Sequence, residues 1–201
     1  WDGFISNFKM SLNAIYTSAF TPPTALLTPT SGGSSAASTK ILIDFTNAAI
    51  IDSSQKTNLL TVGNAQLDTS VKKFGTASAE FDGSGDYLTY PLSLFIEFGA
   101  SDWTIECFVN VDAIDTNYKC IYSASYGVQF YVYNNQLHLA VNDTDNISGY
   151  MIASFSTAGQ IASAGTWYHV AAYRLGSAFY CSVDGVVSSM GSSSATVASP
   201  S

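Results

Sequence analysis

From Trp103 to Val111 the chain alternates without a break: Trp103, Ile105, Cys107, Val109 and Val111 fall on one phase, and Thr104, Glu106, Phe108 and Asn110 on the other. A period of two belongs to a strand with one buried face, and a helix cannot satisfy it. The same pattern returns in Gly127-Val128-Gln129-Phe130-Tyr131-Val132-Tyr133 and in Gln136-Leu137-His138-Leu139-Ala140-Val141, separated by Asn134-Asn135. Two such runs around a two-residue Asn loop predict a β-hairpin. Trp167 to Arg174 and Ala178 to Val183 form a second predicted hairpin across Leu175-Gly176-Ser177, and Asp184-Gly185 turns the chain into a further strand at Val186-Val187. No stretch repeats apolar residues at helical spacing over three turns, so helices should be short or absent. The alternation therefore predicts an all-β, antiparallel β-sandwich, with Trp103, Ile105, Phe130, Val132, Val170 and Val183 between the sheets.

Composition narrows the partners. Charged residues make up only 11% of the 201, and 7 Lys+Arg against 15 Asp+Glu give a formal net charge of -8. No basic stripe is left to neutralise phosphates or anionic headgroups, so no nucleic acid and no membrane surface is expected as a partner. No apolar run approaches the roughly 18 residues of a spanning helix. The N-terminus shows no charged segment followed by an apolar one, and no initiator Met, so a mature product or a fragment of a longer chain is expected. Cys107, Cys120 and Cys181 lie far apart in apolar stretches. They read as buried free thiols; an odd count allows one internal disulfide at most, and the redox compartment stays open.

Thr28 to Thr39 is Pro-, Ser-, Gly- and Ala-rich with almost nothing to bury, and reads as a flexible linker between an arm, residues 1–27, and a main domain from Lys40. The Ser-rich tail from Ser188 to Ser201 reads as a loop.

Four passages carry a family resemblance. Ile41-Leu42-Ile43-Asp44-Phe45 with Ile51-Asp52-Ser53-Ser54 resembles an opening strand and its continuation. Lys73-Phe74-Gly75 through Phe81-Asp82-Gly83 to Asp86-Tyr87-Leu88 is similar to a second signature, Asp102-Trp103-Thr104-Ile105-Glu106 to a third, and Gly165-Thr166-Trp167-Tyr168-His169-Val170-Ala171 with the Val183-Asp184-Gly185 turn to a fourth. Together they resemble a laminin-G-like domain of the concanavalin A-like lectin/glucanase superfamily, in the form found in bacteriophage tail, fibre and other virion proteins. The resemblance implies a jelly roll. Trp1 to Lys9 followed by Tyr16-Thr17-Ser18-Ala19-Phe20-Thr21-Pro22-Pro23 resembles the last strand and coda of such a domain, displaced to the front, and residues 40–201 then lack their final strand. The arm could close its own sandwich or another one; we expect it to belong to a sandwich other than the one that follows it, as in a tandem array.

Catalytic chemistry finds little support. Glycoside hydrolysis needs two carboxyl groups about 5.5 Å apart in retaining enzymes. Glu80, Asp82, Glu97 and Glu106 lie in separate segments, and Glu106 takes the outward phase of its strand, where a solvated position is expected. His138 and His169 have no nucleophile-elbow partner, and His169 reads as a satisfied sheet histidine.

The cofactor that the resemblance implies is Ca2+, and no cofactor is otherwise indicated. Asn142-Asp143-Thr144-Asp145-Asn146 is the one dense oxygen-rich loop, with Asn142, Asp143 and Asp145 as candidate metal ligands, although it lacks EF-hand spacing and reads better as a solvated turn. Asn142-Asp143-Thr144 and Asn146-Ile147-Ser148 also fit the glycosylation sequon, which matters only in a eukaryotic secretory host.

Of the 12 tyrosines, Tyr118, Tyr122, Tyr126, Tyr131, Tyr133 and Tyr150 fall near predicted loops, and Tyr118, Tyr126 and Tyr150 are the candidate ligand contacts, since aromatic faces stack on sugar rings. The expected function is a non-enzymatic virion-surface or extracellular module binding host glycans or a cell-surface receptor. The alternative is a purely structural fibre or decoration repeat, whose partners are other copies of itself or other virion proteins, assembled by strand exchange.

Overall fold

A computed structural model describes residues 1–46, 49–54, 59–90, 97–124, 127–142 and 161–197. Strands β1 (Asp2–Ser11), β2 (Thr39–Thr46), β3 (Ala49–Asp52), β4 (Leu60–Val62) and β5 (Gln66–Asp68) are followed by β6 (Ser78–Asp82), β7 (Tyr87–Thr89) and β8 (Trp103–Val111). Then come β9 (Lys119–Ser123), β10 (Val128–Tyr133), β11 (Gln136–Val141), β12 (Trp167–Leu175), β13 (Ala178–Val183) and β14 (Val186–Ser192). The described residues contain no α-helix, and no helix among them is long and apolar enough to cross a membrane.

All pairings are antiparallel. The main sheet runs β14-β13-β12-β8-β1-β2-β3, with β6 joined to β1 and β5 to β6; β11-β10-β9 form a second sheet and β4-β7 a third. Trp103, Ile105, Phe130, Val132, Val170 and Val183 all lie in one buried cluster between the layers, as the alternation predicts. Both hairpins form: Asn134 and Asn135 take φ of 49° and 63° between β10 and β11, the left-handed values that a two-residue turn of this hand demands.

The arm overturns the expectation of a tandem exchange. β1 lies within the same chain's main sheet, pairing along one edge with β8 and along the other with β6 through Asp2 to Ile5 and with β2 through Phe8 to Ser11. Ile5, Phe8 and Met10 enter the core. Their switch from odd to even phase is made by a bulge: Ser6 faces Phe108 and Lys9 faces Glu106, so two residues oppose one at Asn7. Asn7 accepts the left-handed φ of 57° because its short amide bonds locally, its Nδ2 donating to Asp44 Oδ1 at 2.7 Å and its Oδ1 accepting from the Leu27 backbone N–H. Gly3 is required where β1 meets β8, since a Cβ there would lie 2.2 Å from the Asn110 carbonyl oxygen.

Three further expectations change. Residues 28–39 are held in place and are no loose linker: Ser31, Ser34 and Thr39 hydroxyls bond the carbonyls of Thr28, Pro29 and Ser35, around a short 3-10 turn at Ser31–Gly33. The Ser-rich tail continues as a strand to Ser192, because pairing with β13 needs only backbone groups. Arg174 fastens this end, donating to the carbonyls of Gly99, Gly176, Ser193 and Ala195 from a buried position.

Glu106 is the third correction: it is fully buried, not solvated. The outer face of β8 is covered by the returning segment 12–38 and by the loop carrying Phe74, whose ring meets Phe108 edge-on at 5.1 Å. Beneath that cover Tyr16 donates to Glu106 Oε2 at 2.5 Å, His169 Nε2 lies 3.2 Å from the same oxygen, and Lys9 Nζ stands 3.8 Å from Oε1. The Lys9 ammonium also donates to Ser31 O at 2.8 Å and to Ser34 Oγ at 2.6 Å. Burial pulls the Lys9 pKa below its usual value, opposed by the Glu106 charge, and pushes the Tyr16 phenol up.

Candidate functional site

The outward face of the β9-β10-β11 sheet carries a continuous aromatic surface. β10 alternates Phe130 and Val132 into the core with Gln129, Tyr131 and Tyr133 toward solvent. The tight hairpin fixes the register, placing Tyr131 opposite His138 and Tyr133 opposite Gln136. Tyr131 and His138 stack nearly parallel, at 5.1 Å and 4°, while Tyr133 meets His138 edge-on at 5.9 Å. Tyr118, ahead of β9, folds back over the pair, stacking on Tyr133 at 4.4 Å and tilting against Tyr131 at 5.5 Å. With 69% of its surface exposed, Tyr118 is the open end of the group.

The supports are local. Asp115 accepts from Lys119 Nζ at 2.5 Å, from the Asn117 backbone N–H at 3.0 Å and from Asn117 Nδ2 at 2.9 Å, which holds the loop before Tyr118. The Lys119 contact first, then the Asn117 N–H, holds the Asp115 carboxyl below the usual carboxylate range. Burial lowers the His138 pKa, against a hydrogen bond between its Nε2 and the Tyr133 carbonyl at 3.2 Å, so the ring is neutral at pH 7. Rings with a polar edge and an open face can stack on a ligand's flat apolar side and bond its hydroxyls. None of these groups is an acid–base pair fitted to bond cleavage.

Of the candidate ligand contacts, Tyr118 belongs to this surface, whereas Tyr126 and Tyr150 lie outside the described residues, as do Asp143 and Asp145. Asn142 is half-buried at the end of β11, its backbone N–H donating to the Gly127 carbonyl. Among the described residues no three His, Cys, Asp or Glu side chains converge as a metal site. His138 escaped the sequence reading, although the register across Asn134-Asn135 puts it opposite Tyr131, and that register was the available signal.

Tyr122 points the other way. It is buried and shares a 2.9 Å hydroxyl contact with Tyr90 beside an apolar cavity of about 460 Å³ between the main sheet and strands β7 and β9. His169 is a buried sheet histidine, as expected, but only half satisfied: its Nε2 faces Glu106 at 3.2 Å and its backbone N–H donates to Asp184 Oδ1 at 2.8 Å, while its buried Nδ1 has no hydrogen-bond partner.

Cys120, opposite Tyr131 on β9, is exposed, which corrects its reading as a buried thiol; Cys107 and Cys181 are buried, and all three are free. Burial raises all three thiol pKa values, far more for Cys107 and Cys181 than for Cys120. Native alkylation with iodoacetamide at pH 8 is expected to modify Cys120 alone, with the other two reacting only after denaturation. Mass spectrometry of the native digest checks this, and label on Cys107 would contradict the packing.

Comparisons with known proteins place the fold. No curated protein matches the chain. Among solved structures, the binding domain of Paraclostridial Mosquitocidal Protein 1 is similar, with a TM-score of 0.56 at 14% identity. The match covers 75% of this chain and 41% of that one, so this chain spans well under half of its neighbour. Residues 82–201, more than half of the sequence and including the whole aromatic surface, match the Laminin_G_3 family, and the chain belongs to the concanavalin A-like lectin/glucanases superfamily.

Proposed function

We propose that the chain is a non-enzymatic binding module that engages glycans through Tyr118, Tyr131, Tyr133 and His138. The observation that carries this reading is the stacked, partly exposed aromatic group on an outward sheet face, since a protein gains nothing in stability by leaving Tyr118 69% exposed. The superfamily supports a lectin-like role, and the description of the mosquitocidal neighbour as a binding domain agrees with binding in general. The sequence passages similar to phage tail and fibre proteins support a place on a virion surface or an extracellular appendage. Glu106, the most deeply buried acid among the described residues, is held by Tyr16, His169 and Lys9 away from solvent, which supports a role without hydrolysis.

A glycan array probed with the whole chain is the test, followed by titration of any hit against Tyr118→Ala. Aromatic stacking contributes about 0.5–1.5 kcal/mol, so the variant should bind up to about tenfold more weakly. Its melting temperature should fall by no more than about 6 °C, because the side chain is mostly exposed and only its stacking on Tyr133 and Tyr131 is lost. An array with no hit, or a hit indifferent to Tyr118→Ala and Tyr131→Ala, would reject the reading.

A further inference from the structure

Resting on that reading of the aromatic surface, we infer that its ligand is a neutral hexopyranoside and that acidic glycans, whether sialylated, uronic or sulfated, are rejected. Between Lys73 and Arg174 the sequence holds ten Asp and Glu and a single cation, Lys119. This stretch includes all of β9, β10 and β11 and every residue of the aromatic group. Lys119 is itself unavailable: its side chain is only 3% exposed and is committed to Asp115 at 2.5 Å. Arg174 is equally spent, buried under four backbone carbonyls.

Among the described residues, neither Lys119 nor Arg174 is therefore free to replace the water of a sugar carboxylate or sulfate brought to the stacked rings. Desolvating an anion without a partner costs several kcal/mol, well above what one stacking contact returns. The overall charge of -8 adds repulsion in the same direction. His138 does not alter this, since burial keeps its ring neutral at pH 7. What the face does offer suits an uncharged ring: flat π surfaces for axial C–H groups, phenol hydroxyls, and the side chain of Gln129, exposed on the same phase of β10 as Tyr131.

The test uses the whole chain in calorimetric titrations against cellotetraose, chitotetraose, maltotetraose and lacto-N-tetraose on one side, and sialyllactose and a heparin tetrasaccharide on the other. Binding to at least one neutral probe, unchanged between about 50 and about 500 mM salt, is expected, with the acidic probes at least about tenfold weaker. Gln129→Lys, which sets a cation on the outward face, is expected to strengthen the acidic probes several-fold relative to the neutral one. Tighter binding of an acidic probe by the unaltered chain, lost on Tyr118→Ala, would overturn the charge argument while leaving the glycan-binding function standing. No binding of either class would overturn both.

Discussion

A chain lacking residues 1–11 is expected to lose its cooperative unfolding transition altogether. β1 is no edge strand that can be peeled away: it separates β8 from β2 and β6, so its removal exposes unpaired backbone groups along both new edges. Ile5, Phe8 and Met10 leave the core with it, and truncations of single side chains of these kinds cost about 2–5 kcal/mol each. Their sum alone reaches the roughly 5–15 kcal/mol by which a whole domain is stable. The loss of Lys9 also strands the buried Glu106 carboxylate. Thermal melts by circular dichroism should show a gradual slope in place of a sigmoid, with strong binding of a hydrophobic dye. A synthetic peptide of residues 1–11 added in trans should restore a sigmoidal melt, since it carries the strand while the Tyr16 and Phe20 cover remains on the truncated chain. A truncated chain that still melts sharply near the temperature of the full one would show that β1 completes some other sandwich. The same peptide rescue would show how a neighbouring copy could donate this strand.

The arm shows where sequence reasoning stops. Alternation in Trp1 to Lys9 announces a strand, but pairing partners are chosen by tertiary geometry, and the returning segment of residues 12–38 hides the fact that β1 and β2 are neighbours. The same limit misplaced Glu106. A period of two says which residues share a face; whether the second face is wet depends on distant segments folding over it, here Tyr16 and Phe74. The linker was misread because composition counts apolar groups, whereas Ser31 and Ser34 are held by the needs of a buried ammonium. Local devices were legible by contrast. The Asn134-Asn135 turn and the phases of β10 and β11 were readable from residue types alone, and they place three of the four rings of the candidate site. The fourth, Tyr118, was singled out as a loop aromatic, but its stacking on Tyr133 depends on the Asp115–Lys119 contact, which no periodicity encodes.

Glu106→Ala is expected to destabilise the protein by about 3–5 kcal/mol, because removing one member of a buried ion pair leaves the other charged and uncompensated. The partner left behind is Lys9, whose Nζ is buried with Ser31 and Ser34 oxygens that are dipoles and carry no neutralising charge. Tyr16 and His169 lose their common acceptor as well, and each buried polar atom without a partner adds about 1–3 kcal/mol. In a domain of this size each kcal/mol lowers the melting temperature by about 2–4 °C, so a drop of about 6–20 °C is expected. Coulomb attraction alone would not decide the matter, since both charges pay desolvation to reach these positions. The controls separate the two effects. Glu106→Gln keeps an acceptor for the Tyr16 hydroxyl and should cost less than Glu106→Ala. Combining Glu106→Leu with Lys9→Met removes both charges and should recover the part of the loss owed to the stranded ammonium, while Tyr16 and His169 still lack their acceptor. A Glu106→Ala variant melting within about 2 °C of the unaltered chain would mean that the carboxylate is not sealed beneath the Tyr16 cover, and that the outer face of β8 is open to water as its alternation alone suggests.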